Sequence, residues 1–449
     1  MGPLRRRSFR AVPRRVWLLR GVRHPALPPS RHCVDPPTRR SGGRVRPPRR
    51  RRIRTREGSG LMDFSFPPEV EAFRTEVKAF LAENFDESML DVTHDGTMHV
   101  PELHAALAAE GWLAGPVPKE LGGGGRTALE SIVLNEEMQL ARAPIDAMGV
   151  TVITAAILME HGSDHLKETV VPALLNGEAL TSFGYTEPES GSDVAAAATK
   201  AVKDGDEWVI NGAKMWTTMA HIADYVILLT RTDPDVPKHK GLTFFLVPFD
   251  TPGIEIQPVP TMATERSNAT FYDDVRLSDD WRVGEVNGGW AVMKTALKYE
   301  RGIAGGQFMS PPVIDAGIDW ATNHERADGT RPIDDPAVRG RLIRAQIDVE
   351  VCRGFAYHCA DLANEGAMFG VEGSMTKLFA SETFKRHCRE IHDMMGAEGL
   401  VTLESPEAHR GGLIEEALRH SPVTAIYGGT SEINRNMVAE GFLGLPRAR

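Results

Sequence analysis

An acid on the apolar side of a helical segment is the first residue here that could do chemistry. Apolar side chains at Met293, Ala296 and Leu297 share a helical face with Glu300, because positions three, four and seven apart line up on one side of a helix. A carboxylate on such a face is partly removed from water, which raises its pKa toward the value that a general base needs. An ordinary ion pair with the neighbouring Arg301 is the alternative.

A second segment with chemical character covers residues 183–193. It combines hydroxyls, acids and two glycines in a stretch that is predicted to end a strand and turn. Small residues let a ligand approach the backbone, and Thr186 and Ser192 can donate hydrogen bonds to it. The segment therefore indicates a binding loop, although a hydrogen-bonded structural loop would have the same composition.

A third segment, Lys214–Thr218, is predicted to be the second strand of a hairpin. Asn211-Gly212 precedes it, and Asn-Gly between two β-type runs is the strongest short signal for a hairpin turn. Alternation along the strand puts Trp216 and Thr218 on one face. An indole beside a hydroxyl suits a planar heteroaromatic ring with a hydrogen-bonding edge, and simple packing of Trp216 beside a solvated Thr218 is the alternative.

The elements that position these segments follow a helical, β, helical order. Apolar residues recur at three and four residues over 67–180, as in Val70, Phe73 and Val77, and again from Trp290 onward. Short β-branched and aromatic runs fill the middle and predict these strands: 207–210, 213–218, 225–231, 242–247, 254–259 and 269–275. Helices are predicted at 290–325, 335–365, 373–396 and 430–442.

This order predicts an α+β fold that is mainly α. The absence of an alternating strand–helix pattern argues against a Rossmann sheet. The predicted divisions are a leader at 1–61, a helical domain at 62–180, a β domain at 181–284 and a second helical domain at 285–449.

Charge and cysteine usage exclude several classes of function. The net charge of −9 combines +17 in residues 1–60, where nineteen arginines face only Asp35 and Glu57, with −26 in the remainder. That acidic body argues against nucleic acid as a partner of the folded part. The four cysteines form no zinc-spaced cluster, and no apolar run approaches the ~20 residues of a membrane span. We expect no metal site and a cytoplasmic location.

The Arg/Pro-rich leader at 1–61 cannot bury enough apolar surface to fold alone. Three interpretations stay open. It is acid-poor like a transit peptide, although its nine prolines fit badly with an amphipathic helix. It is basic like a disordered nucleic-acid-binding tail. The interpretation that we favour is that it is not normally part of the protein, because Met62 reads like a natural start running into a helix.

Motifs along residues 62–449 keep one order. They are Thr186-Glu187-Pro188-x-x-Gly191-Ser192-Asp193, Asn211-Gly212-x-Lys214-x-Trp216-x-Thr218, Phe271–Val275, Gly284-Glu285-x-x-Gly288-Gly289-Trp290, Glu300-Arg301, Gly428–Asn436 and Gly444–Arg447. Each motif is weak alone, but in this order they resemble the acyl-CoA dehydrogenase family. The resemblance implies an N-terminal helical domain, a central β domain and a C-terminal four-helix bundle.

The resemblance also implies FAD as cofactor, an acyl-CoA substrate, and electron-transfer flavoprotein or a similar acceptor. A homo-oligomer or a heterotetramer is expected, and the pathway would be β-oxidation of fatty acids or sterol side chains. By the same likeness, Phe183 and Thr186 would line the flavin ring, with Trp216 against it and Thr218 near its N5. Thr430 and Glu432, at the start of the last helix, would also meet the cofactor.

Other roles rest on the same likeness. Ser192 would lie near the flavin phosphate or the thioester end, and Ser192, Arg301 and Gly428 would contact the substrate. Arg326 would reach the FAD pyrophosphate of a neighbouring subunit, although the aromatic residue that usually follows it is missing here. A second departure lies at 393–399, where the family often has Gln and a Gly pair for the adenine end.

The catalytic base is the departure that matters most. Many family members carry a carboxylate just before the Gly-Thr of the C-terminal turn, but Gly428 occupies that position here. Some members carry the base at the Glu-Arg position instead, so Glu300 would take the α-proton while the β-hydrogen leaves as hydride. The thioester oxygen would accept hydrogen bonds from the flavin ribityl chain and from an amide at or near Gly428. The glycine leaves room for a branched or bulky acyl chain.

Two other functions fit the same sequence. The chain could be a non-catalytic subunit that supplies part of an FAD site in a heteromeric acyl-CoA dehydrogenase. It could also be a flavin oxidase or monooxygenase, because one fold supports several chemistries.

Overall fold

The computed structural model describes residues 66–90, 99–115, 117, 119, 123–263, 265–303, 309–364 and 371–446. Five helices precede the strands within these ranges: α1 Pro68–Asn84, α2 Pro101–Ala109, α3 Ala128–Leu140, α4 Asp146–His161 and α5 Val171–Leu175. Six follow them: α6 Gly289–Ile303, α7 Ser310–Asn323, α8 Pro336–Asn364, α9 Val371–Met395, α10 Leu413–Thr424 and α11 Ser431–Gly441. The leader at 1–61 lies outside the described residues.

Eight strands lie between the two helical groups. They are β1 Thr181–Gly184, β2 Lys200–Asp204, β3 Glu207–Lys214, β4 Tyr225–Arg231, β5 Leu242–Pro248, β6 Ile254–Pro260, β7 Arg266–Ser278 and β8 Arg282–Val283. The predicted α+β class and the helical, β, helical order are confirmed. The domain boundaries stay a prediction.

The strands form one sheet in the order β6-β7-β3-β2-β4-β5-β8, and β1 pairs with β4 in parallel. The β4–β5 pair lies next to the short edge strand β8, with Tyr225 opposite Pro248 and Arg231 opposite Leu242. The interior residues of both strands are buried on both faces. Burial on both faces explains why these two strands read as continuous apolar runs and were predicted within one residue.

The predicted hairpin turn at Asn211-Gly212 is wrong. Strand β3 continues through both residues, and the register against β7 shifts between Ile210 and Gly212, which is a β-bulge. Gly212 lies so close to the neighbouring strand that a Cβ atom there would come within 2.6 Å of Thr199 Oγ1. The actual hairpin turn precedes β3 and uses Gly205, with φ of 62°. Pairing with β7 therefore keeps Asn211-Gly212 within a strand, although the dipeptide by itself favours a turn.

The predicted helix at 290–325 is also corrected, because the structure has α6 and α7 in its place. Pro311 and Pro312 lie in the first turn of α7. Proline lacks the N–H that a helix interior needs and is tolerated in a first turn, so the pair starts a helix. Helix α10 had no counterpart in the prediction.

One cluster of buried side chains packs helix α6 against helix α4 and strands β4 and β5. Met293 on α6 shares this cluster with Leu158 on α4 and Ile227 on β4. A second cluster joins α7, α8, α9 and α10 into the C-terminal bundle through Val313, Leu342, Phe384 and Ile414. Helix α6 is thereby held at the junction of sheet and bundle, with its apolar face inward. None of the described helices has the length and apolar character that a membrane span requires.

A buried histidine makes the N-terminal helices sensitive to acid. His104 on α2 is 4% exposed, its ring lies 5.2 Å from that of His99, and its Nε2 has no hydrogen-bond partner among the described residues. Burial, and then His99, lower the pKa of His104 from 6.5 to about 4. Because the unfolded chain binds this proton more readily, stability present above pH 6.5 is lost as the pH falls toward 4.

We therefore expect the free energy of unfolding to fall by about 2 kcal/mol through His104 when the pH is lowered from 7.5 to 5. The variant His104→Leu should lose correspondingly less over that interval. Urea unfolding of both proteins at the two pH values measures the difference. Equal losses in the two proteins would contradict the assignment.

Candidate active site

Glu300 lies near the C-terminal end of helix α6 and is half-buried. Val292, Met293 and Ala296 on the same helix are buried beneath it. The turn before helix α11 comes close to the carboxylate: a Cβ atom built on Gly428 would lie 3.3 Å from Glu300 Oε1. The fold therefore brings the carboxylate of α6 to the glycine turn, although 128 positions separate the two residues along the chain.

Two further residues near Glu300 were missed from the sequence. The hydroxyl of Tyr185 is buried and has no hydrogen-bond partner in the described part of the chain, although an edge of the residue reaches the surface. Burial, and then the charge of Glu300, raise the pKa of Tyr185. Lys377 on helix α9 donates a hydrogen bond from Nζ to the Gly429 carbonyl at 2.8 Å. Tyr185 lies within the 183–193 segment but was given no role of its own, and a lone Lys on a helix is too common to stand out.

The end of β1 and the segment after β3 run side by side. The Met215 amide donates to the Thr186 carbonyl at 2.9 Å, and Ser182 Oγ donates to the Thr218 carbonyl at 2.9 Å. The ring of Phe183 stacks on that of Tyr185, with centroids 4.9 Å apart. The structure therefore brings the second and third sequence segments, 183–193 and Lys214–Thr218, together.

The predicted strand through Thr218 is wrong, although Trp216 and Thr218 do lie at this place. Strand β3 ends at Lys214, Trp216 takes a φ of 61°, and Thr218 begins a turn. The two side chains are therefore not alternate residues of one strand. Instead Trp216 is 54% exposed, and Thr218 Oγ1 lies 3.3 Å from Ser267 Oγ on β7. The Met215 amide bonds to the loop after β1, whereas the Thr217 amide donates to the Asn268 carbonyl on β7 at 2.9 Å, so the segment after Lys214 is irregular but stays bonded to β7.

A buried ion pair fixes the loop that follows β1. Lys214 is fully buried, and its Nζ donates to Glu187 Oε1 at 2.8 Å. The same carboxylate accepts the amides of Ala198 and Thr199 at 2.7 and 2.8 Å. Burial lowers the pKa of Lys214 to about 8, and the Glu187 charge opposes that effect. Both residues belong to motifs that the sequence singled out, but their pairing was not predicted.

The last helix begins with a capped turn. Thr430 is its N-cap, and its Oγ1 accepts a hydrogen bond from the Ile433 amide at 3.2 Å. Gly428 and Gly429 before it take φ values of 61° and 84°, which favour glycine. Glu432 in the first turn is exposed. Thr430 is therefore at the predicted helix start, next to the turn that meets Glu300.

Three predicted site residues are not brought to Glu300 by described contacts. Ser192 is exposed in the loop after β1. The side chain of Arg301 lies outside the described residues. Arg326 follows α7, whose Trp320 donates to Glu398 Oε2 at 2.8 Å just beyond the far end of α9.

The length of α9 separates Arg326 from Glu300 and the neighbouring Lys377. Lys377, near the start of α9, and Met395, at its end, are eighteen residues apart along the helix, which is about 27 Å. Arg326 therefore has a role beside Glu300 only if it comes from a second copy of the chain.

The groups around Trp216 suit a flat ring with a polar edge. The exposed indole offers a stacking face, and Thr218 beside it offers a hydroxyl. Ser190 in the neighbouring loop has a buried hydroxyl that, like that of Tyr185, has no partner among the described residues. Buried hydroxyls without partners are uncommon in folded proteins. Their presence fits a site that a polar ligand such as a flavin completes.

Models of three domains match nearly the whole described part of the chain. They are the N-terminal, middle and C-terminal domains of acyl-CoA dehydrogenases, and they match residues 67–178, 182–275 and 287–443. The chain belongs to the acyl-CoA dehydrogenase family. The resemblance inferred from the motifs is thus confirmed, and the protein is an oxidoreductase of acyl-CoA dehydrogenase type. Members of this family bind FAD.

Similar proteins are found among mycobacterial acyl-CoA dehydrogenases. FadE26 of Mycobacterium tuberculosis is 34% identical, over 86% of this chain and 100% of its own length. IpdE1 of the same organism is 31% identical, over 84% and 98%. Among solved structures, the Tcur3481-Tcur3483 steroid ACAD matches with a TM-score of 0.79 at 34% identity, and the ChsE4-ChsE5 complex of M. tuberculosis with 0.78 at 32%. Each covers 86% of this chain and 100% of its own.

Proposed function

We propose that this protein catalyses the FAD-dependent α,β-dehydrogenation of an acyl-CoA thioester to a 2,3-enoyl-CoA, with Glu300 as the base. The observation that carries the proposal is the position of Glu300. Its carboxylate is half-buried and lies beside Gly428, the position where many relatives would hold the base. Glu300 therefore fills the space that a side chain at residue 428 would otherwise reach.

The reaction removes a proton from Cα and a hydride from Cβ, which leaves a carbon–carbon double bond. Glu300 takes the α-proton, since it is a carboxylate held on a rigid helix at a partly desolvated position. The amide of Gly428 or a neighbour donates to the thioester oxygen, which stabilises the charge that develops as the proton leaves. FAD, when bound, accepts the hydride.

We assign the FAD site to Phe183, Thr186, Trp216 and Thr218 beside the sheet, to Thr430 and Glu432 at the start of the last helix, and to Ser192 at the phosphate or thioester end. Arg326 would contribute from a neighbouring copy, because the length of α9 separates it from Glu300 within one chain. We propose a homo-oligomer or a heterotetramer on this ground, with electron-transfer flavoprotein or a similar protein as the electron acceptor.

For the substrate, we propose a branched or sterol-derived acyl-CoA from lipid or steroid β-oxidation, with Ser192, Arg301 and Gly428 at its contact surface. Two observations support this class. Residue 428 has no side chain, and one similar solved protein is described as a steroid ACAD.

Anaerobic titration of the FAD-loaded protein with a panel of acyl-CoAs tests the function. We expect branched or sterol-derived thioesters to bleach the flavin and straight medium-chain thioesters to do so weakly. Bleaching by medium-chain thioesters alone would contradict the substrate class, and bleaching by none would contradict the function.

A partner subunit role is the second candidate, since two similar solved structures are complexes or pairs of named chains. In that case the chain would contribute residues to an FAD site shared with the partner subunit, and the partner would supply the catalytic base. Co-expression with a candidate partner, followed by the same titration on the purified complex, separates the two functions. If Glu300→Gln leaves the bleaching rate of the complex unchanged, the partner supplies the base.

A further inference from the structure

The second charged group beside the Gly428 turn is Lys377 on helix α9. The Cβ position of Gly428 lies 3.3 Å from Glu300 Oε1 and 3.7 Å from Lys377 Cε. These two atoms are therefore at most the sum of those distances, 7.0 Å, apart. The turn thus lies close to a carboxylate from α6 and to the lysine side chain from α9.

The hydrogen bonds of Lys377 fix the backbone of this turn. Its Nζ donates to the Gly429 carbonyl at 2.8 Å, and Asn434 Nδ2 donates to the same oxygen at 2.8 Å. Gly428 and Gly429 have no side chains, so neither residue can stabilise the turn through side-chain contacts of its own. The two donors hold the segment that carries the Gly428 amide.

We propose that Lys377 is a positioning residue for Glu300, whose ammonium group anchors the Gly428–Gly429 turn and keeps the neighbouring carboxylate ionised. This inference rests on the proposed function of Glu300. It adds a residue that the site motifs in the sequence do not include. The described contacts of the Lys377 side chain are with the Gly428–Gly429 turn, and none is with the residues around Trp216. Its effect therefore passes through the turn and through the charge of Glu300.

The surroundings of Lys377 leave its ammonium group protonated at neutral pH. Burial lowers the pKa of Lys377 to about 8, and the charge of Glu300 is the largest of the opposing effects. Glu382 on α9 and Glu432 on α11 also raise it, while Lys385 on α9 lowers it. The lysine is thus protonated below about pH 8 and stabilises a negative charge on Glu300 there.

The test compares Lys377→Gln, Lys377→Arg and the control Arg389→Gln, which removes an exposed cation farther along the same helix. Lys377→Gln should lower kcat/KM at pH 7 by about tenfold, and should move the acidic limb of its pH profile upward by about one unit. Lys377→Arg keeps the positive charge, so its acidic limb should lie where that of the wild type lies. Arg389→Gln should match the wild type.

Hydrogen exchange of the 425–433 segment supplies a readout that does not depend on activity. We expect faster exchange there in Lys377→Gln than in wild type or Lys377→Arg, with the same FAD content. An unchanged acidic limb in Lys377→Gln would overturn the electrostatic role, and unchanged exchange would overturn the anchoring role. If no acyl-CoA of the panel bleaches the flavin of the wild-type protein, the proposed function is wrong. This inference then fails with it.

Discussion

Replacing Glu300 by Gln is expected to lower kcat/KM for acyl-CoA oxidation by about 10³-fold, within the range that a positioned general base contributes. Glutamine has nearly the same shape but cannot take a proton. The half-buried position beside Gly428 stays filled, so folding and FAD content should not change. Stopped-flow bleaching of the flavin by the best acyl-CoA of the panel measures the effect.

The matched control for this experiment is Glu350→Gln on helix α8, which removes an exposed carboxylate away from the site. It should bleach at the wild-type rate. A Glu300→Gln protein that keeps its FAD and reacts within a few-fold of wild type would remove Glu300 from the mechanism. In that event the partner subunit function becomes the better account.

Replacing Lys214 by Met is expected to have the largest effect on stability. The change leaves Glu187 buried without its cation, and breaking a buried pair in this way costs about 3–5 kcal/mol. Because Lys214 and Glu187 fix the loop that leads from Thr186 to Ser192, we also expect FAD to dissociate more readily. Urea unfolding and the FAD content after gel filtration are the two measurements.

The double variant Lys214→Met/Glu187→Gln provides the matched comparison. It removes both charges, so part of the lost stability should return, and a double-mutant cycle isolates the coupling. In Glu187→Gln alone, the new side chain still faces the backbone amides of Ala198 and Thr199, which are both donors. Its carbonyl oxygen can accept from one of them, but its NH2 group cannot accept from the other. A Lys214→Met protein as stable as wild type would show that the pair does not support the loop.

The sequence predicted the parts of this site that depend on local pattern. Met293, Ala296 and Glu300 were assigned to one helical face, and the structure buries the two apolar residues against the sheet. Thr430 was placed at the start of the last helix, where it is the N-cap. The order of motifs was enough to identify the family.

What the sequence missed depends on contacts between distant segments. Asn211-Gly212 reads as a turn, but β7 pairs along both sides of it and makes it a bulge. Trp216 reads as a strand residue, but β3 ends at Lys214, and the positive φ of Trp216 interrupts the extended backbone. Lys377 has no local signal, because its position beside the Gly428 turn depends on α9 and the turn coming together in the fold.

Exchange of the substrate's α-hydrogen measures the role of Glu300 most directly. FAD-loaded wild-type protein, incubated without oxygen in D₂O with the best acyl-CoA of the panel, should place deuterium at Cα, as detected by mass spectrometry of the thioester. Glu300→Gln should bind the same thioester and leave its α-hydrogen in place. Deuterium incorporation by Glu300→Gln at the wild-type rate would show that another group removes the proton, and the proposed mechanism would be wrong.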